Sequence, residues 1–120
     1  MSNWRNNKNY RIKEITEDKF GEQMVIFTNG DVLSYDHEQD CCEHNYADFA
    51  QLDDLARNYQ FIGPLEFEIV DGSGFRFGDS RRTFFVPCYS EQNGYYSSYL
   101  EIYLNNKRVA GLTCEEDTYI

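Results

Sequence analysis

The nine residues Asp36-His37-Glu38-Gln39-Asp40-Cys41-Cys42-Glu43-His44 hold both histidines and two of the four cysteines of the chain, with four carboxylates among them. Such side chains bind metals and activate nucleophiles, so their spacing decides what they could do. In a helix, His37 with Cys41 and Asp40 with His44 would form i,i+4 pairs on one face. In an extended segment, Cys42 and His44 would share one side and Cys41 and Glu43 the other. Neither arrangement supplies the four ligands of a closed zinc site, and the remaining Cys88 and Cys114 stand alone without C-x-x-C spacing. The acids also lack the EF-hand pattern and its Gly. A metal-binding module using His37, Asp40, Cys41, Cys42 and His44 is therefore an alternative, and no cofactor is expected.

Catalysis by Cys41 or Cys42 would need a base such as His37 or His44, an oxyanion site and an electropositive neighbourhood. The neighbourhood is acidic, and carboxylates raise a thiol's pKa, which makes a cysteine-dependent enzyme the weakest reading. Gly72-Ser73-Gly74-Phe75-Arg76-Phe77-Gly78 matches neither G-x-G-x-x-G nor a Walker motif. With no helix expected after it, it is read as a flexible connection between strands. Tyr95, Tyr99 and Tyr103 alternate along one strand face and could stack sugars or bases, although such faces more often cover another layer.

The elements that must position these residues are mostly strands. Tyr10 to Thr16 and Glu22 to Thr28 are rich in β-branched and aromatic residues, and Asn29-Gly30 before Asp31-Val32-Leu33-Ser34-Tyr35 signals a type I′ hairpin. Asp48 with Gln51 suggests a capped helix from about Asp48 to Asn58, with Phe49, Leu52, Leu55, Ala56 and Tyr59 at helical spacing. Gly63-Pro64 stops it. Leu65, Phe67 and Ile69 alternate with Glu66 and Glu68. A strand within Arg82 to Tyr89, a turn at Glu91-Gln92-Asn93-Gly94 and a strand from Tyr95 to Leu104 predict a further hairpin. Asn105-Asn106 then leads to a last strand, Lys107 to Leu112, and Glu115-Glu116-Asp117 to a loosely held tail. The expected fold is α+β: a largely antiparallel sheet of about six to eight strands with one helix packed on it, or alternatively a partly closed barrel capped by that helix.

A chain of 120 residues has the length of one domain, residues 1–120, and its 17% aromatic content excludes a disordered composition. The formal net charge of −10 is uneven: residues 14–54 carry twelve acids against Lys19 alone. An acidic surface repels phosphate backbones, so nucleic-acid binding is disfavoured unless Arg76, Arg81 and Arg82 or the basic N-terminus form a patch. No apolar run reaches membrane-span length and the N-terminus has no apolar signal region, so a cytoplasmic protein with reduced thiols is expected.

Gln39-Asp40-Cys41-Cys42-Glu43, Leu52-Asp53-Asp54-Leu55 followed by Gly63-Pro64, and Asn93-Gly94-Tyr95-Tyr96-Ser97 resemble a family of small proteins of bacteriophages and bacteria. The resemblance spans about residues 31–104. It implies one domain and a phage or mobile-element origin, and it brings no activity with it. His44 and Asn45 depart from the small residues that follow the Glu in that family, so the resemblance gives His44 no role.

Three classes of function follow, in order: a protein-interaction module, a metal-binding module and an enzyme. The expected partner is a basic protein surface, with no membrane involved. The expected binding residues are Asp36, Glu38, Asp40, Glu43, Asp53 and Asp54, from an acidic stretch that contains no Lys or Arg.

Overall fold

Two-residue alternation of apolar and polar side chains governs nearly the whole chain. In the computed structural model, which describes residues 9–19, 21–36, 44–70, 72–92 and 99–118, it produces twelve strands. These are β1 (Asn9–Tyr10), β2 (Ile12–Glu17), β3 (Gln23–Phe27), β4 (Val32–Asp36), β5 (His44–Ala47), β6 (Phe61–Ile62), β7 (Glu66–Val70), β8 (Gly74–Gly78), β9 (Thr83–Gln92), β10 (Tyr99–Leu104), β11 (Lys107–Thr113) and β12 (Glu115–Thr118). One sheet runs β11-β10-β4-β3-β2 and is antiparallel throughout. The other runs β12-β9-β8-β7, with β5 also on β9. Among the described strands only β12 lies parallel to its neighbour, and β1 with β6 makes a separate two-stranded ribbon.

The long strand β9 organises the second sheet. Its first half, Thr83 to Pro87, pairs with β8; its second half takes β5 and β12. The core lies between the sheets. Val25, Phe27, Leu33, Leu100 and Ile102 come from one sheet, and Phe75, Phe77, Val86 and Cys88 from the other. Rings join the two layers, with Phe27 and Phe77 centroids 6.2 Å apart at an interplanar angle of 78°. Each fully buried Phe contributes about 1.5–3 kcal/mol by leaving water, which makes these rings a main source of stability.

The α+β expectation is overturned. Strands dominate, and among the described residues helix is confined to a 3-10 turn, Phe49–Gln51, and one short helix, α1 (Asp54–Arg57). A barrel capped by the predicted helix fails for the same reason. Two aspartates explain the break. Asp48 makes no capping hydrogen bond, because its carboxylate accepts from Gln51 Nε2 at 2.9 Å and Gln23 Nε2 at 3.3 Å. Leu52 is extended (φ −64°, ψ 127°), and Asp53 starts a new turn by accepting from the Ala56 N–H at 3.1 Å. Phe49, Leu52 and Ala56 still reach the core, but Leu55 is 62% exposed.

Other expectations shift in detail. Asn29-Gly30 does join β3 to β4, but through a three-residue loop in which Gly30 alone has positive φ (96°) and Phe27 N donates to Asp31 O at 2.9 Å. The two-residue turn with both φ positive is Asn105-Asn106 (54° and 68°), between β10 and β11. Gly74–Gly78 is strand β8 and not a loop, because Phe75 and Phe77 alternate into the core. The strands expected as a hairpin, β9 and β10, belong to different sheets; Glu91 and Gln92 still lie in β9, and Asn93 and Gly94 fall outside the described residues. The acidic tail expected to be loose forms β12 on β9.

Candidate functional site

Of the residues predicted to bind, Asp36 ends β4, exposed and directly across from Glu101 on β10. Asp53 caps α1, and Asp54 is its exposed first residue. Glu38, Asp40 and Glu43 lie outside the described residues, as do His37, Cys41 and Cys42. His44 opens β5 opposite Glu91. Among the described residues no group of three or more His, Cys, Asp or Glu converges as a metal site would require.

The stretch 31–54 was expected to present acids to a partner, yet several serve the fold. Asp31 ties two turns together, accepting from Asn29 Nδ2 at 3.1 Å and Asn105 Nδ2 at 2.9 Å. Asp48 holds Gln23 and Gln51, and Asp53 holds the α1 N-terminus. Asp36, Asp53 and Asp54 are the exposed aspartates of this stretch among the described residues, and of these Asp53 is the one that caps a helix.

Around Asp36 the outer face of the first sheet is concave. Ser34, Tyr35, Asp36, Tyr103 and Asn106 line an open cleft of about 260 Å³. The alternation of β10 places Leu100 and Ile102 in the core and Tyr99, Glu101 and Tyr103 on the opposite face, as the sequence predicts. Tyr103 donates its phenol proton to Glu101 Oε1 at 3.1 Å, and burial adds to that bond in raising the Tyr103 pKa. Arg108 pairs with Glu101 at 3.2 Å and donates to the Tyr99 phenol at 2.9 Å. The expected tyrosine stripe is thus a hydrogen-bonded row; its third member, Tyr95, lies outside the described residues.

Sequence reasoning missed Asp79. Only 2% exposed, its carboxylate accepts from the backbone N–H groups of Ile62 (3.0 Å), Arg81 (2.9 Å) and Arg82 (3.1 Å), from the Tyr59 phenol and from Arg81 Nη2 at 3.0 Å. Burial alone would raise its pKa, but these hydrogen bonds outweigh it and hold the carboxyl well below its ordinary range. The available signal was Gly78-Asp79-Ser80, a turn in which Asp bonds the backbone two and three residues on. The network also accounts for the arginines considered as a phosphate patch. Arg81 is held by Asp79 and the Gln60 carbonyl, and lies 5.3 Å from the Tyr59 ring centroid. Arg82 lies over Phe84, and Arg76 over Phe85.

Cys88 and Cys114 are buried free thiols. Burial pushes both pKa values up, Cys114 to about 12, and the neighbouring Cys114 adds to the effect on Cys88. Neither is a nucleophile at neutral pH. Among the described residues no helix is long and apolar enough to cross a membrane. No protein-family model, curated protein or solved structure matches the chain.

Proposed function

We propose that the protein is an interaction module that takes a basic side chain of a partner protein into the cleft beside Asp36. The observation that supports this reading is the register of β4 and β10, which sets Asp36 directly across from Glu101 with Tyr103 next to them. Like charges directly opposite one another cost stability. Arg108 offsets Glu101, which leaves the group of Asp36, Glu101 and Arg108 with a net negative charge. A carboxylate beside an aromatic ring matches a guanidinium or ammonium group, through an ion pair and a cation–π contact. Glu38, Asp40 and Glu43 follow Asp36 in the chain, and with the overall charge of −10 they steer a basic partner toward this end of β4. In this reading Asp53 and Asp54 contribute to the field and make no direct contact. The resemblance to phage and bacterial proteins supplies a setting, a phage or mobile element, and no activity.

The test is titration with a blocked peptide of alternating Arg and Gly, followed by amide NMR. Ser34, Asp36, Tyr103 and Asn106 should shift, and binding should weaken steeply between low and moderate salt. Asp36→Asn should lower affinity several-fold, whereas Asp54→Asn, which removes the same charge elsewhere, should do little. Equal effects of the two substitutions, or salt-independent binding, would sink the proposal.

A further inference from the structure

On the other sheet, Phe85, Pro87 and Tyr89 occupy alternate positions of β9 on the face away from the core residues Val86 and Cys88; Phe85 is exposed, Tyr89 half-buried and Pro87 buried. With Gln51 from the 3-10 turn and Ser73 from the β7–β8 turn, they line a groove of about 420 Å³. That volume falls within the roughly 300–1,000 Å³ of small-ligand sites. We propose that this groove binds a neutral carbohydrate.

Its walls are fixed before any ligand arrives. A Cβ on Gly74 would come 3.0 Å from Phe85 Cζ, so the missing side chain is what lets the ring lie down against β8. The Arg76 guanidinium stands 5.8 Å from the centroid of that ring, which is nonetheless 37% exposed. Pro87 is anchored through its carbonyl, which accepts from the Asp48 N–H at 2.9 Å. Tyr89 packs its ring against Tyr46, with centroids 5.7 Å apart. Gln51 Nε2 donates to Asp48 Oδ2 at 2.9 Å and to the Tyr89 oxygen at 3.2 Å, which sets the orientation of the amide. Gln51 Oε1, the Ser73 hydroxyl and the Tyr89 phenol proton then have no partner among the described residues.

The described lining residues carry no charge, in a chain of net charge −10. Two charges at the groove's margin are already engaged: the Asp48 carboxylate accepts from Gln51 Nε2, and the Arg76 guanidinium lies over the Phe85 ring. A sugar ring combines what the groove lacks: an apolar C–H face to lie on the exposed Phe85 ring, and hydroxyls that both donate to Gln51 Oε1 and accept from Ser73 and Tyr89. A proline-rich segment would use the rings but offers few donors for Gln51 Oε1.

Amide NMR with maltose, cellobiose, lactose and N,N′-diacetylchitobiose, each at tens of millimolar, tests this. At least one should shift the Gln51 side-chain amide and the backbone amides of Ser73, Phe85 and Tyr89 saturably. Phe85→Ala should weaken that binding about tenfold, the loss of one aromatic contact. Ser73→Ala and Tyr89→Phe should each weaken it a few-fold. Asp36→Asn should leave it unchanged, which keeps this site independent of the acidic cleft. Circular dichroism establishes that each variant is folded. Absence of shifts with all four sugars, sugar binding that survives Phe85→Ala, or groove shifts with a polyproline peptide alone would overturn the proposal.

Discussion

Replacing Asp79 by Ala strips the acceptor from three backbone N–H groups and the Tyr59 phenol in a site that is 2% exposed. A buried donor left unmade costs about 1–3 kcal/mol, so even the lower figure gives about 4 kcal/mol for the four groups. The ion pair adds little, because the Arg81 side chain is 52% exposed and regains water. Asp79→Asn keeps one acceptor oxygen but turns an amide N–H₂ toward other donors, and should cost about 2–3 kcal/mol. In urea followed by far-UV circular dichroism, the midpoint should fall by about 1–2 M. The pH dependence is a separate check. Because folding depresses this pKa below its ordinary 3.8, the carboxylate's contribution is fully present above about pH 5 and fades as pH falls through the folded value. The wild-type protein should therefore lose stability between about pH 4 and pH 2 more steeply than Asp79→Asn. A variant within 1 kcal/mol of wild type that keeps the wild-type acid slope would refute the reasoning.

Leu52→Ala should cost about 2–4 kcal/mol and Leu55→Ala almost nothing, because Leu52 is 5% and Leu55 62% exposed; comparable losses would restore a continuous helix with Leu55 in the core. In a Cys41→Ser, Cys42→Ser variant, the buried Cys88 and Cys114 should resist a thiol-reactive disulfide reagent near pH 8 and react together on denaturation. Fast native-state labelling would contradict their burial. Protein purified without chelator should keep its circular dichroism spectrum and melting temperature after dialysis against a chelator. Stoichiometric zinc with loss of folding on its removal would instead promote the metal reading of residues 36–44.

The strands were legible because alternation survives in short segments: Leu100 and Ile102 against Tyr99, Glu101 and Tyr103 is unambiguous in the chain and in the fold. The helix was misread because Phe49, Leu52 and Ala56 keep a helical spacing even though extended backbone at Leu52 interrupts it. Side-chain periodicity records which residues are buried, and it cannot distinguish one helix from two turns that bury the same residues. Strand β8 was hidden by its glycines. Gly74 and Gly78 look like punctuation, but a Cβ on Gly74 would come 2.1 Å from the Val86 carbonyl oxygen of β9 and one on Gly78 2.0 Å from that of Arg82 just before it, so they are there for close strand approach. Pairings between distant segments, such as β12 on β9 or Asp79 with Ile62, leave no local mark at all.

The acids of this chain divide by the work their oxygens do. Asp31, Asp48, Asp53 and Asp79 accept from backbone or side-chain N–H groups, in positions where Asp stabilises a turn whatever its charge does for solubility. Such residues accumulate in a fold of many short strands, because every reversal needs its unpaired N–H groups satisfied. A count of acids along the sequence therefore overstates the surface available to a partner. It also misdirects mutagenesis, since removing Asp53 disturbs a helix cap before it disturbs any encounter. Asp36 ends a strand, is exposed, and faces Glu101 across the ladder, where like charges directly opposite one another are unfavourable. In the proposed reading it is Asp36 beside Tyr103, and not the total charge, that receives the basic group of a partner.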